Sequence, residues 1–502
     1  MTGRWIGPLL VLLGGCRAGI SAPGPGPAPR ADVLADALAA IVDRGPLAGA
    51  QWGVLAVDAA TGDTLLARNP GARFLPASTM KLATAIAALD RLGPDYRWRT
   101  DLWSSGAIDS ATATLDGDVI VPGTGDPSLS PRFYPDDPDA LTVLAGGLRD
   151  LGVRRVTGAL VIDASAWDST TVRASWMVDD LPLAYGSTGG AFVLNEGETH
   201  VEVRGGDSAG APPAVRWWPR GEEGFVVSRL TTTSGGSVNV SASYLPERRV
   251  LELSGTVPVG ITDTVEVATR DPVRQSAAAL HRAITETGVA IDGGWRVEWS
   301  AGAAYGRGCV TGTVPPCPAG RILRGLGSPT VAEVAAGDLG PSQNWIAEQV
   351  VRTLGSSTGA RSGWSEGIAV AKQQLVSGAG IDSLDIRMVD GSGLSTQNLL
   401  TPRALVRMLR YARTRPWGDA FHAAMPQPGV AESTIETRLT ELKGRVFAKT
   451  GTLTNVSALA GYVTNTRGRE IVFAILVNGS NLPAATTRPA IDAIVRLLAK
   501  TP

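Results

Sequence analysis

Apolar and polar positions along this chain follow two periods, and the period switches at Gly- and Pro-marked breaks. Residues 31–44 carry apolar side chains at helical spacing. Gln51–Asp58 and Asp63–Ala67 alternate on either side of Thr61-Gly62, which predicts a hairpin. A strong helical pattern then covers Ser78–Leu92, starting just after Pro76-Ala77. From about 99 to 320 the texture changes to Gly- and Thr-rich strand segments such as Val156–Asp163 and Val265–Thr269. Two helical stretches lie among them, Asp139–Leu151 and Val273–Thr287, each followed by a glycine. Beyond about 322 the pattern predicts helices over Asn344–Leu354, Gly367–Val376 and Pro402–Arg413. Three strands follow (Arg445–Leu453, Ala458–Thr464, Glu470–Asn478), then a closing helix, Thr486–Lys500. The order implies one α/β domain in two sequence pieces with a β-rich insertion between them. No internal repeat is evident.

At 502 residues, with 44% hydrophobic and 19% charged, the chain is long enough for several packed domains and is not of disordered composition. Lys plus Arg number 46 and Asp plus Glu 47, so the balance carries no basic nucleic-acid footprint. Only five of the basic residues are lysines (Lys81, Lys372, Lys443, Lys449 and Lys500), so a lysine inside a motif is informative. The 3 histidines, His200, His281 and His422, are far apart and leave little material for a His-based triad or metal centre.

Residues 1–16 have the order of a secretory signal: Arg4, an apolar run from Trp5 to Leu13, then small residues. That run is too short to span a bilayer. Leu13-Gly14-Gly15-Cys16 resembles a bacterial lipobox, in which the cysteine becomes the lipidated first residue; an ordinary cleaved signal is the alternative. Residues 16–30 are Pro/Gly-rich and suit a tether. The reading places the mature chain outside the inner membrane, in the periplasm, held by a lipid anchor on Cys16. Cys309 and Cys317 lie in a Gly/Pro-rich stretch, where an oxidising compartment would let them close a small disulfide or leave two free thiols.

Three short motifs carry candidate chemistry. Ser78-Thr79-Met80-Lys81 puts a hydroxyl at a helix N-terminus and an amine one turn on, on the same face. There the helix end favours a developing alkoxide, and a desolvated, neutral lysine can take the serine proton. It is the one Ser-x-x-Lys in the chain. Ser342-Gln343-Asn344 precedes an apolar helix and by itself reads as a cap. Lys449-Thr450-Gly451-Thr452 lies in a strand-like run, where a glycine marks close approach of a ligand or another backbone and a cation with hydroxyls suits a carboxylate.

In this order the three motifs form the active-site set of penicillin-recognising serine enzymes. The chain resembles class C low-molecular-mass penicillin-binding proteins, the D-Ala-D-Ala carboxypeptidase/endopeptidases, over about residues 31–502. The likeness extends to Gly125-Asp126-Pro127-Ser128-Leu129, Gly158–Asp163, Asp390-Gly-Ser-Gly-Leu-Ser395 and Leu459-Ala-Gly-Tyr462. It implies a β-lactamase/transpeptidase-like α/β catalytic domain (31–98 and 322–502) interrupted by a β-rich domain (99–130 and 196–321) with a third nested at 131–195. It also implies roles. Ser78 is acylated, Lys81 is the general base, Ser342 relays a proton to the leaving amine and Asn344 holds the substrate amide. Lys449 tunes the site and, with Thr450, Gly451 and Thr452, receives the terminal carboxylate; the Ser78 and Thr452 N–H groups form the oxyanion hole. Peptidoglycan stem peptides are the implied substrates and β-lactams the acylating inhibitors, with no metal or organic cofactor.

Two rivals use the same site: a penicillin-binding scaffold that acylates without turnover, and a β-lactamase or small-ester hydrolase. The insertion argues against the second. Two Gly-x-Ser-x-Gly matches, at 206–210 and 355–359, lack the strand-turn-helix context of a nucleophile elbow and read as loops.

Overall fold

The computed structural model describes residues 31–134, 139–300, 321–359 and 361–501. Cys16, Cys309 and Cys317, and with them the anchor and disulfide expectations, lie outside the described residues. One sheet organises the catalytic half. Its five antiparallel strands run in the order Thr64–Arg68, Gln51–Asp58, Glu470–Asn478, Val456–Thr464, Val446–Leu453. The alternation within these strands sorts two apolar faces. Val54, Phe473, Ile475 and Val477 point to one side, against Leu34, Leu38, Ile491 and Val495 of the terminal helices Ala31–Val42 and Ala484–Ala499. Leu55, Val57, Val472 and Ala474 point to the other, where Leu82, Ile86, Leu405 and Leu409 close the second core. A strand buried on both faces needs an unbroken apolar run, and Ile471–Val477 supplies it.

The helices of the second layer start where local chemistry dictates. Thr330 and Glu333 form a reciprocal capping box on Val331–Leu339, with the Thr330 hydroxyl accepting from the Glu333 N–H at 3.2 Å and Glu333 Oε2 accepting from the Thr330 N–H at 2.7 Å. Thr401 caps Pro402–Arg413, which has proline at its first position.

The intervening region builds further sheets. A second five-stranded sheet runs Trp295–Glu298, Leu160–Asp163, Val119–Pro122, Arg97–Ser104, Arg321–Thr330. Leu160–Asp163, expected inside a nested unit at 131–195, instead pairs in parallel with Val119–Pro122 and Trp295–Glu298, and all four of its residues are buried. The separate small core sits later. Two three-stranded sheets spanning Glu198–Ala268 enclose Val201, Val203, Leu230, Leu251, Leu253 and Val257. Arg321–Thr330 hydrogen-bonds along Arg97–Ser104 and leads directly into the helix Val331–Leu339. Val156–Asp163 proves to be two short strands in two sheets, separated at Thr157–Ala159.

Candidate active site

The two halves of the catalytic region meet at a short 3-10 turn, Ala77–Thr79, which runs directly into the helix Met80–Arg91. Ala77 holds a left-handed φ of +48°. This presents the half-buried Ser78 at the helix start, with Lys81 one turn along. Lys81 is fully buried and its Nζ donates to three acceptors: Ser78 Oγ at 3.1 Å, Asn344 Oδ1 at 2.5 Å and the Ser392 carbonyl at 3.0 Å. Burial pulls its pKa down to about 8, against the opposing pull of Asp338, Glu348 and Asp390. The amine is therefore held where it can be neutral, beside the hydroxyl it would deprotonate.

The second motif sits on a turn, not inside the helix. Ser342 adopts φ +69°, and the helix Asn344–Ser356 is capped by Gln343, whose side chain accepts from the Trp345 N–H at 3.2 Å. The cap expected of Ser342 thus belongs to its neighbour. Gln343 Nε2 also donates to Glu196 and, at 3.3 Å, to Glu198, so the turn is tied to the insertion. Glu198 forms, with His200 and Glu266, the one group of metal-ligand spacing among the described residues, within 4.8 Å; His200 lies 3.2 Å from Glu198. The Asn344 amide bridges Lys81 and the Tyr185 carbonyl, 2.8 Å away.

The third motif lies on the outer edge strand of the first sheet, Val446–Leu453. A Cβ at Gly451 would stand 2.5 Å from the Pro76 carbonyl oxygen and 3.1 Å from Ala77 Cβ. Only glycine lets this strand lie against the Ser78 turn. Lys449 is fully buried and donates to the Thr450 carbonyl at 3.1 Å. Burial lowers its pKa well below the usual lysine value, the Lys81 charge lowers it further, and Asp338 opposes both. Thr450 Oγ1 donates to Thr434 Oγ1 at 2.8 Å, while Thr452 is exposed. On the strand's outer side the Ala448 N–H donates to the Pro426 carbonyl at 2.9 Å. A cavity of about 360 Å³ opens beside it, lined by Asn344 and Thr452 together with Tyr185, Asp180, Leu394 and Leu453.

Ser78, Lys81 and Asn344 thus share one hydrogen-bonded centre, Gly451 brings the Lys449 strand against the Ser78 turn, and Ser342 lies two residues before Asn344. Sequence reasoning missed one support, Glu348; the other, Asp390, opens the stretch that the resemblance already included. Glu348 accepts from Trp364 Nε1 (2.6 Å) and from the Gly391 and Ser392 N–H groups (3.1 and 2.7 Å). Asp390 accepts from the Gly393 and Ser395 N–H groups, Asn398 Nδ2 and Trp176 Nε1. Together they fix the loop whose Ser392 carbonyl receives Lys81. The signal for Glu348 was present: it lies four residues after Asn344, a carboxylate on the same helix face as that motif residue.

A profile of the D-Ala-D-Ala carboxypeptidase 3 (S13) family matches residues 34–501. The D-alanyl-D-alanine carboxypeptidase of Actinomadura sp. strain R39 is 31% identical over 471 residues, covering 90% of this chain and 82% of that protein. The D-alanyl-D-alanine carboxypeptidase DacB of Haemophilus influenzae is 24% identical, with 86% of each chain covered. The crystal structure of penicillin-binding protein 4 from Haemophilus influenzae superposes with a TM-score of 0.75 at 23% identity, over 93% of this chain and 99% of that one. The family profile covers nearly the whole described chain and the fold agrees with it: this protein belongs to the S13 family of D-Ala-D-Ala carboxypeptidases.

Proposed function

We propose that this serine-type D-Ala-D-Ala carboxypeptidase works through an acyl-enzyme on Ser78, with Lys81 as base. The hydrogen bond from Lys81 Nζ to Ser78 Oγ, in a pocket that depresses the lysine pKa, carries this reading. The stem peptide lies along the Thr450–Leu453 end of this edge strand with its terminal carboxylate toward Lys449, Thr450 and Thr452. The Ser78 proton passes to the neutral Lys81 amine as Oγ attacks the penultimate D-Ala carbonyl. The Ser78 and Thr452 N–H groups receive the oxyanion, a contribution of roughly 3–4 kcal/mol per donor in other enzymes. Ser342 relays a proton to the leaving amine, D-Ala departs, and water hydrolyses the ester. A β-lactam enters by the same attack, but its opened ring stays attached and holds the ester.

Peptidoglycan lies outside the cytoplasm, so the protein acts there. Among the described residues no helix is long and apolar enough to cross a membrane. We assign delivery to the signal-like segment 1–15 and retention to lipidation of Cys16. The endopeptidase activity on cross-links uses the same acyl transfer with a longer leaving amine.

The test follows intact mass of the purified protein mixed with a penicillin, with Ser78→Ala in parallel. One persistent adduct per chain, absent from the variant, is expected. An adduct on the variant would remove Ser78 from the role. Rapid adduct loss with destroyed penicillin would turn the assignment toward a β-lactamase.

A further inference from the structure

Two turns near the site hold left-handed backbone, and their side chains meet. Ser342 has φ +69°, and on the inserted segment Asn195, Glu196 and Gly197 have φ +52°, +54° and +70°. For a residue with a Cβ this conformation costs about 1–2 kcal/mol, so it persists only where neighbouring contacts over-determine it. Glu196 is buried. Its carboxylate accepts from Ser130 Oγ at 3.0 Å, from Arg132 Nε at 2.7 Å and Nη2 at 3.2 Å, and from Gln343 Nε2. The turn that carries it is fixed by its backbone. The Asn195 N–H donates to the Leu129 carbonyl at 2.8 Å, and the Gly197 carbonyl accepts from the Thr269 N–H at 2.8 Å. A Cβ at Gly197 would stand 3.0 Å from Trp345 Cδ1, so this turn packs against the residue that follows Asn344.

Gln343 connects the two turns. Its backbone N–H donates to the Asp338 carbonyl at 3.0 Å, and its Oε1 accepts from the Trp345 N–H at 3.2 Å. Its Nε2 donates to two carboxylates, Glu196 and Glu198, the latter at 3.3 Å. Carboxylates only accept, so the amide nitrogen must face them and the amide oxygen must face the helix end. Gln343 is therefore clamped on both sides. It stands between the strained Ser342 and Asn344, whose Oδ1 accepts from Lys81. Without the Glu196 carboxylate, one side of the clamp rests on the longer bond to Glu198 alone, and Ser342 is free to relax from its left-handed conformation.

We propose that Glu196 is a positioning residue for protonation of the leaving amine: through Gln343 it holds the Ser342 turn in the strained form that presents the Ser342 hydroxyl to that nitrogen. The proposal rests on the relay role given to Ser342 above. The chemistry makes the effect selective. As the peptide C–N bond breaks, its electron pair goes to nitrogen, which takes a proton from the Ser342 hydroxyl while that oxygen regains one from Lys81. A thiolester with thioglycolate in place of the terminal D-Ala keeps the carboxylate but breaks a C–S bond. A thiol ionises near pH ~8.5, so the sulfur departs with its electron pair and needs no proton. Loss of Glu196 therefore slows peptide cleavage more than thiolester cleavage, whereas a general loosening of the site slows both alike.

The deciding comparison is kcat/KM, which reports acylation and not the later ester hydrolysis, for D-Ala release from a stem pentapeptide and thioglycolate release from the matching thiolester. The proteins are the wild type, Ser342→Ala, Glu196→Ala, Gln343→Met and the Glu196→Ala/Gln343→Met double variant. Arg132 keeps Glu432 at 3.6 Å, so Glu196→Ala does not leave that cation without a carboxylate. Ser342→Ala sets the scale, with the peptide falling about 100-fold more than the thiolester. In Glu196→Ala and in Gln343→Met the peptide is expected to fall about tenfold more than the thiolester. The double variant should separate the substrates no further than the larger single effect, because both changes act through one path. Equal losses on the two substrates in Glu196→Ala, or separations that multiply in the double variant, overturn the proposal. If Glu196→Ala does not fold, Gln343→Met decides alone, and an unchanged peptide-to-thiolester ratio overturns the proposal. If neither folds, the contact is a structural requirement and the proposal is rejected. A Ser342→Ala that slows both substrates equally would sink the relay role itself, a different result from a Ser342→Ala that separates them while Glu196→Ala does not.

Discussion

Gly393→Ala probes how tightly the Gly391–Ser395 loop fixes the nucleophile. Gly393 holds φ +86°, and a Cβ there would stand 1.9 Å from the Ala77 carbonyl oxygen, 2.5 Å from the Ala77 carbonyl carbon and 3.0 Å from Met80 Cβ. Ordinary contact begins at 3.4 Å, so the loop and the Ser78 turn must part by about 1.5 Å (3.4 minus 1.9). The obstructing atoms are backbone and cannot swing aside. The left-handed conformation alone adds about 1–2 kcal/mol for a residue with a Cβ. A displacement of about 1 Å at a reacting group costs roughly 100-fold in rate, close to 3 kcal/mol of barrier. Penicillin acylation should therefore fall by about 100-fold or more, with a lower melting temperature. Gly468→Ala is the control: Gly468 has φ +76° but nothing within 4 Å of its Cβ position, in a turn between two strands of the first sheet. It should lose only the conformational strain, about 1–2 kcal/mol, and acylate at the wild-type rate. A Gly393→Ala protein that acylates as fast as Gly468→Ala would refute the claim that this loop sets the Ser78 position.

Other consequences are equally concrete. Glu348→Ala strands the Trp364 indole N–H and the Gly391 and Ser392 N–H groups, at about 1–3 kcal/mol each. It should melt well below the wild type and acylate slowly, whereas Glu348→Gln, which retains an acceptor, should recover much of the stability. Because Lys81 acts as a neutral base and its pKa is drawn down to about 8, acylation should rise with pH below 8 and level off above it. A flat profile from acid to neutral would contradict that assignment. Asp492→Ala breaks the 2.6 Å pair with Arg438, whose side chains are 10% and 14% exposed. It should cost about 3 kcal/mol in a urea melt and leave the acylation rate unchanged.

Much of this architecture is written locally in the chain. Pro402–Arg413 and Glu470–Asn478 coincide with the elements their periodicity predicts, because a threonine cap with Pro402 and a continuous apolar run mark them without tertiary help. The insertion is less legible. Arg321–Thr330 contains Gly325, Gly327 and Pro329 and carries no strand prediction, yet it pairs along Arg97–Ser104, a partner more than 200 residues away. The parallel pairing of Leu160–Asp163 is hidden for the same reason, since it depends on a helix-connected crossover that short strands do not announce. At the site, the motif residues were visible because their spacing is itself chemical. The burial of Asp338 was not, because Val331–Leu339 is short and a carboxylate in its last turn looks like a solvated end until the fold buries it.

The central claim is that peptide cleavage and penicillin acylation share Ser78. The direct measurement is D-Ala release from a stem pentapeptide while penicillin is titrated in, with the adduct located by peptide mapping. The account predicts that release falls in proportion to acylation, reaches zero at one adduct per chain, and that the adduct maps to the peptide containing Ser78. D-Ala release that continues in fully acylated protein, or an adduct on another residue, would contradict it.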